Sequence, residues 1–576
     1  MSIKQRLQVA MYGALLGGAL LPYSPAAADD AQTDRLQRQI DAMQQQLIEL
    51  KKQLKETKQT VQHVESSMPK DAPPGYANGS GPLPTKAPWP LPGVKVTFGG
   101  FLAGETAWRQ RNEVASGASD LPFGQLPFAN SPLYHENEWR ATAAQSRFSI
   151  LATGDIDPVQ HLQGYYEMDF LGAGVTANSR ESNSYNLRIR QAFVAYDNDD
   201  WHFHFMAGQG WSLLTQDRVG ITPRMENIPL TIDAQYVVGF NWARQEQARF
   251  VYDWNKVAWF GVSFESPQVN FVSNSIGTVG GTSTSVGGTP VPPFLAINNL
   301  NVCNASGLLN STTACSNDIA PDIIEKFALD PGWGHYELVG LERWFSDQVF
   351  RCTTATCVTA AGTPTGIPGS QSSKVTMGWG VGGSVLLPLW PKYVDFQGSV
   401  MYGQGTGRYG SSQLADVVIG SDGSLSPLTT TQVLLGLVTH PWTGLDIYAY
   451  AGEEQVDSNF WTNGSTHGGY GNPLFVNNGC LTENPIGGPA ALNMAITGTT
   501  CTANVQRTQE LTVGFWQNLY KGDMGRLVFG MQYEYVKLDA FASSIAGPAA
   551  PTSTPNQGLS PYNQVILTSI RYYPFQ

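Results

Sequence analysis

From Lys95 onward the chain is written in segments of about ten residues in which apolar and polar side chains alternate, and a tilted strand of that length crosses the hydrocarbon of a membrane. Period two is plain in several of them. In Arg147-Phe148-Ser149-Ile150 the apolar pair would face lipid while Arg147 and Ser149 face the other way. Leu162, Tyr166, Met168 and Phe170 share one face of a segment whose other face carries Gln163, Tyr165, Glu167 and Asp169. Leu187, Ile189 and Phe193 alternate with Arg188 and Arg190, and Leu527, Phe529, Met531, Tyr533 and Tyr535 oppose Gln532 and Glu534. A soluble β-sandwich would also bury one face, but without aromatic residues spread over so many strands.

Sixteen such strands are predicted, near 95–107, 142–153, 160–171, 185–197, 200–209, 246–254, 256–266, 335–345, 349–357, 374–387, 392–405, 429–440, 443–455, 506–520, 524–539 and 561–573. An even number suits a closed bacterial barrel. If the first strand leaves the periplasm, links after even strands should be short turns and links after odd strands longer outer loops. Short links fall at 154–159, 197–200, 255, 346–348, 388–391, 440–442 and 521–523; long ones fall at 108–141, 210–245, 267–334, 456–505 and 540–560. The predicted class is therefore all-β, a transmembrane antiparallel β-barrel over 94–576. Cys303 with Cys315, Cys352 with Cys357, and Cys480 with Cys501 are sequence neighbours in or beside predicted outer loops, where local disulfides suit an oxidising compartment. Other pairings stay open. No CxxC spacing points to a metal site, and no cofactor is implied.

Composition agrees with a barrel. With 61 glycines, 11% aromatic residues and a mean hydropathy of -0.19, the chain is too polar for a bundle of membrane helices. The net charge of -12 excludes nucleic acid as a partner, because a phosphate-binding surface needs a basic excess.

Ahead of the barrel, Lys4 and Arg6 precede an apolar run from Val9 to Leu21, and Ala26-Ala27-Ala28 has the form of a cleavage site, so 1–28 is predicted to be a signal peptide. Pro22 ends the run short of the roughly 20 residues a membrane anchor needs. Leu36, Ile40, Met43, Leu47, Leu50, Leu54, Thr57, Val61 and Val64 then recur at steps of four and three, the seam of an N-terminal α-helical coiled coil over 29–68. So narrow a stripe implies self-association, with oligomer number left open; an isolated helix docked on the protein is the alternative. Residues 69–93, with eight prolines from Pro69 to Pro92, form a semi-rigid linker.

A barrel of this size encloses water, so selectivity falls to lumen charges and to any loop folded inward. Between Phe101 and Asn255 there are eleven arginines and no lysine. Arg147, Arg188, Arg190 and Arg249 lie on the polar faces of their strands, and guanidinium is the group that binds carboxylate bidentately. The long third loop, with Trp211, Asp217, Arg218, Arg224 and Glu226, is the candidate constriction. Alternatively, the arginines pair with Glu167, Asp169, Asp217 or Glu226 and simply hold the wall together.

Gln145-Ser146-Arg147-Phe148, Glu167-Met168-Asp169-Phe170, Leu187-Arg188-Ile189-Arg190-Gln191-Ala192-Phe193 and Gly208-Gln209-Gly210-Trp211-Ser212, behind a signal peptide, heptad helix and Pro-rich linker, resemble the DcaP-like outer-membrane porin family. The resemblance implies homotrimers in outer-membrane lipid with an arginine-lined constriction passing small anionic solutes such as dicarboxylates. It departs in its ending, Tyr573-Pro574-Phe575-Gln576, and in its cysteine-bearing loops.

Two other functions compete. Barrels can carry a hydrolase site, and His202 and His204 are predicted on one face of the fifth strand, although no nucleophile stands at a diagnostic spacing. A structural anchor, with the coiled coil touching the cell wall, is the second. The expectation is a porin and not an enzyme.

Overall fold

The computed structural model describes residues 93–113, 123, 126–172, 186–233, 237–270, 285–286, 289–290, 294–297, 318–351, 370, 372–420, 423–463, 466–475, 477, 480–481, 501, 503–542 and 559–575. The predicted signal peptide, coiled coil and all of the linker but Gly93 lie outside the described residues.

Sixteen strands form a closed antiparallel barrel. In chain order they are β1 (Val94–Arg109), β2 (Glu138–Thr142 continuing as Arg147–Asp157), β3 (Gln160–Gly172), β4 (Asn186–Asn198), β5 (Phe203–Trp211), β6 (Arg244–Trp254), β7 (Ala258–Glu265), β8 (Asp322–Leu329), β9 (His335–Arg351), β10 (Ser372–Trp390), β11 (Val394–Gln404), β12 (Thr429–Trp442), β13 (Leu445–Val456), β14 (Val505–Gly522), β15 (Gly525–Ala540) and β16 (Tyr562–Tyr573). Each pairs with its neighbour in sequence, and β1 closes the ring on β16, with Leu102 opposite Tyr572 and Arg109 opposite Val565. β2 is broken by a turn at Ala143–Ser146, where Ser146 Oγ accepts from the Ala103 N–H at 2.9 Å.

Alternation places the side chains as the period requires, except in β4, where a bulge at Arg190 reverses the faces: Phe193, expected outward with Leu187 and Ile189, is buried and Val194 is exposed. Leu102, Leu187, Val194, Leu338, Val381, Leu435 and Leu511 are exposed on the outer face, while residues between them point inward and are buried. Trp201, Trp254, Trp333, Trp390, Trp442 and Tyr520 are exposed at six successive short turns, the aromatic girdle of one membrane interface. The turns are tight enough to need left-handed backbone: Asn255 and Lys256 have φ of 55° and 56°.

The strand count is sixteen, as predicted, but two errors cancelled. Residues 335–345 and 349–357 were expected to be separate strands joined at 346–348; instead His335–Arg351 is one strand, with Ser346 and Asp347 paired opposite Val375 and Lys374. Three consecutive polar residues imitated a turn that tertiary pairing does not make. The strand Asp322–Leu329 was missed because both of its faces carry charge, Glu325 outward and Lys326 inward, which spoils the alternation. The short link is therefore 330–334, and the fourth outer loop ends at 321. The second strand starts at Glu138, not 142, and the fifth at Phe203, which leaves His202 in the turn with φ 55°. A long sixth loop, 405–428, went unlisted among the expected outer loops and folds inward.

Candidate functional site

The third outer loop, L3, runs from Ser212 to Ala243 between β5 and β6 and turns into the barrel. It opens as a small hairpin. The Arg218 N–H donates to Met225 O at 2.7 Å and the Asn227 N–H to Gln216 O at 2.6 Å, with Asp217 bridged to Glu226. Arg224 stands at the hairpin tip with φ 71°, a conformation that disfavours any residue with a Cβ. The apolar residues of L3 settle on two wall sectors. Leu213, Leu214 and Ile221 join Val251, Trp259, Ile324 and Leu341, from β6 to β9. Ile232, Val237 and Phe240 join Leu434, Tyr450, Val528 and Leu567, from β12 to β16.

On that second sector the loop and the wall meet backbone to backbone. A Cβ on Gly452 of β13 would lie 1.7 Å from the Val238 carbonyl oxygen, and one on Gly239 would lie 2.0 Å from that of Val433. Only glycine fits either place. The N–H groups brought this close find acceptors: Val238 donates to Glu510 at 2.8 Å, Gly239 to Glu454 at 2.7 Å, and Ile232 to Gln532 at 2.6 Å. Arg571 on β16 donates to Ile232 O at 2.6 Å.

The hairpin tip reaches a different surface, the arginine-bearing face of β2 to β4. Arg190 donates to Glu167 at 2.7 Å and to Asp169 at 2.8 Å, and its side chain is 2% exposed. Arg188 donates twice to Asp169, at 3.0 and 2.8 Å. Arg147 lies 3.8 Å from Glu167 and keeps 24% of its side chain exposed. Tyr165 Oη donates to Glu167 at 2.9 Å, and the Arg224 guanidinium sits 4.9 Å from the centre of the Tyr165 ring. In L3 itself, burial and the adjacent Asp217 charge push the Glu226 carboxyl up to about 7.

Arg147, Arg188, Arg190, Glu167 and Asp169 therefore form one cluster, with Arg224 beside it and the exposed Arg218 on the same hairpin. Arg249 is placed elsewhere than expected. It is buried and donates to Trp211 O at 2.6 Å and Gln247 at 3.1 Å, so it fastens the start of L3. Arg571, unremarked in the sequence, shares the Phe101 ring with Arg147, at 4.8 and 5.3 Å, and pairs with Glu105 at 2.8 Å. Its alternation in Ile570-Arg571-Tyr572 was the available signal. His204 has one ring nitrogen 2.7 Å from Asp197 and the other 3.1 Å from Asp253, which leaves neither for a nucleophile. Cys480 and Cys501 are bonded; Cys303, Cys315, Cys352 and Cys357 lie outside the described residues.

No protein-family model matches the sequence, and no curated protein matches it. Among solved structures, the chain is similar to the outer membrane channel DcaP of Acinetobacter baumannii, at 15% identity over 83% of this chain and 98% of that one, with a TM-score of 0.49. It is similar to the anion-selective porin from Comamonas acidovorans at 11% identity, over 83% and 99% of the two chains, with a TM-score of 0.40. For OmpT, an outer membrane protein of Vibrio cholerae in trimer form, the figures are 10%, 83%, 99% and 0.40.

Proposed function

We propose that this protein is an outer-membrane porin through which small hydrophilic solutes diffuse, with a preference for organic anions such as dicarboxylates. The observation that carries this reading is a loop folded into the barrel whose hairpin, bearing the exposed Arg218, brings the exposed Arg224 to the wall holding the part-exposed Arg147. Arg188 and Arg190 play a different part: engaged by Asp169 and Glu167, they keep that wall in shape. A carboxylate passing between hairpin and wall meets guanidinium on both sides, which lowers its electrostatic barrier where water is scarce. In this reading residues 1–28 direct export, the coiled coil 29–68 stands in the periplasm toward the cell wall, and the barrel works as a homotrimer in outer-membrane lipid.

The test is single-channel conductance and reversal potential under a salt gradient in planar bilayers, comparing wild type with Arg147→Ala/Arg224→Ala. Stepwise conductance with anion preference that weakens in the variant, and that fades as salt rises, is expected. Silent bilayers from a folded barrel would sink the proposal.

A further inference from the structure

Residues 215–220 of L3 are held by charges that the arginine wall does not use. Lys326 of β8, its side chain fully buried, donates to Asp217 at 3.0 Å, to Glu337 of β9 at 2.9 Å and to Thr215 O at 2.7 Å. The Asp217 N–H donates to the same Glu337 oxygen at 2.9 Å, and the Gly220 N–H donates to Asp330, in the turn between β8 and β9, at 2.9 Å. His335 stands between the two carboxylates that receive the loop. Its Nδ1 is 2.8 Å from Asp330 and its Nε2 3.0 Å from Glu337, with a side chain 2% exposed. An ionised carboxylate only accepts, so both contacts require a hydrogen on the ring and the ring is the imidazolium.

The other groups facing this cluster do not replace that charge. Ser384 of β10 donates its hydroxyl to Glu337 at 2.6 Å, Glu226 is bridged to Asp217 within L3, and Arg249 of β6 acts on Asp217 and Glu226 from a distance. Asp330 has no second cationic partner among the described residues. Three carboxylates, Asp217, Asp330 and Glu337, thus share two cations, Lys326 and His335.

We propose that Lys326 and His335 are positioning residues of the constriction: they hold Asp217, Asp330 and Glu337 where residues 215–220 of L3 dock, and loss of the His335 proton releases that stretch. The proposal rests on L3 being the constriction. Losing the proton leaves the part-buried Asp330 beside Glu337 with no compensating charge, so the carboxylate that receives Gly220 moves toward water and the loop follows. Alkaline conditions then loosen the hairpin that carries Arg218 and Arg224.

A nitroxide on Val219→Cys, an exposed site next to Gly220, reads the loop directly in the purified full chain. From about pH 5.5 to about pH 9, either side of the ordinary histidine range, its spectrum should sharpen in one transition as pH rises. In His335→Gln, which cannot gain the charge, the label should be mobile throughout. In Asp330→Asn, which keeps an acceptor for Gly220 but removes the charge that needs the imidazolium, it should stay immobile throughout. A label immobile at every pH in wild type, or the wild-type transition surviving in Asp330→Asn, overturns the proposal. In bilayers the same transition should raise open-channel noise several-fold; a pH-dependent label in a silent barrel would keep the loop device and sink the porin reading.

Discussion

On β3, Glu167 and Asp169 are met by Arg147, Arg188 and Arg190, whereas on β13 and β14 the equally buried Glu454 and Glu510 receive loop N–H groups and a hydroxyl, with no ion pair among the described residues. The first region joins neighbouring strands whose register is already fixed by the ladder. Its charges are locked to each other. The second region joins the wall to a loop more than two hundred residues away in sequence, with Gly239 meeting Glu454, and no ladder reaches across. There the backbone of the loop is itself the ligand, and a carboxyl on the wall supplies the acceptor that a strand partner would otherwise give. The barrel thus uses paired charge to shape this part of its wall and carboxyls without an ion pair to seat the second half of L3.

The contrast can be broken most sharply at Gly452. Gly452→Val inserts a side chain where only 1.7 Å separates a Cβ from the Val238 carbonyl, an overpacking that costs about 1–3 kcal/mol or more. L3 should lift from β13, and single-channel conductance should rise several-fold while the barrel still resists heat on a gel; unchanged conductance would show that the seat does not set the opening. At the arginine wall the effect should appear as stability. Arg190→Ala leaves two buried carboxylates short of a partner and should destabilise the barrel by about 3–5 kcal/mol, against about 1 kcal/mol for the part-exposed Arg188→Ala. Urea unfolding in detergent measures both, and equal losses would contradict the ranking.

The last test concerns Glu226. Its carboxyl titrates near 7 in the folded chain against an ordinary 4.5, so the folded state holds more protons than the unfolded state between those values. Stability therefore falls as pH rises from about 4.5 to about 7 and levels off above. Glu226→Gln should flatten that slope in thermal unfolding series, and a slope that persists would assign it to other groups.

Much of this was legible without coordinates. Period-two alternation marks β3 and β15 almost to the residue, because lipid on one side and water on the other impose the same choice at every second position, and it marks the ends of β4 but not the bulge at Arg190 that turns Phe193 inward. The same alternation set the Arg147, Arg188, Arg190, Glu167 and Asp169 faces. It failed at β8, where Glu325 and Lys326 charge both faces, and at Ser346 and Asp347, where polarity mimicked a turn. The sequence alone determined that the chain alternates and where most of its strands lie; the crossing count came right only because two errors cancelled, and the long sixth loop was not foreseen. Only tertiary structure decided that L3 turns inward, that Arg249 holds its first residues while Arg224 reaches Tyr165, and that Gly452 and Gly239 make room for it. The reason is physical: strand periodicity is local and repeats every two residues, whereas the seating of a loop depends on acceptors and gaps supplied by strands hundreds of residues away.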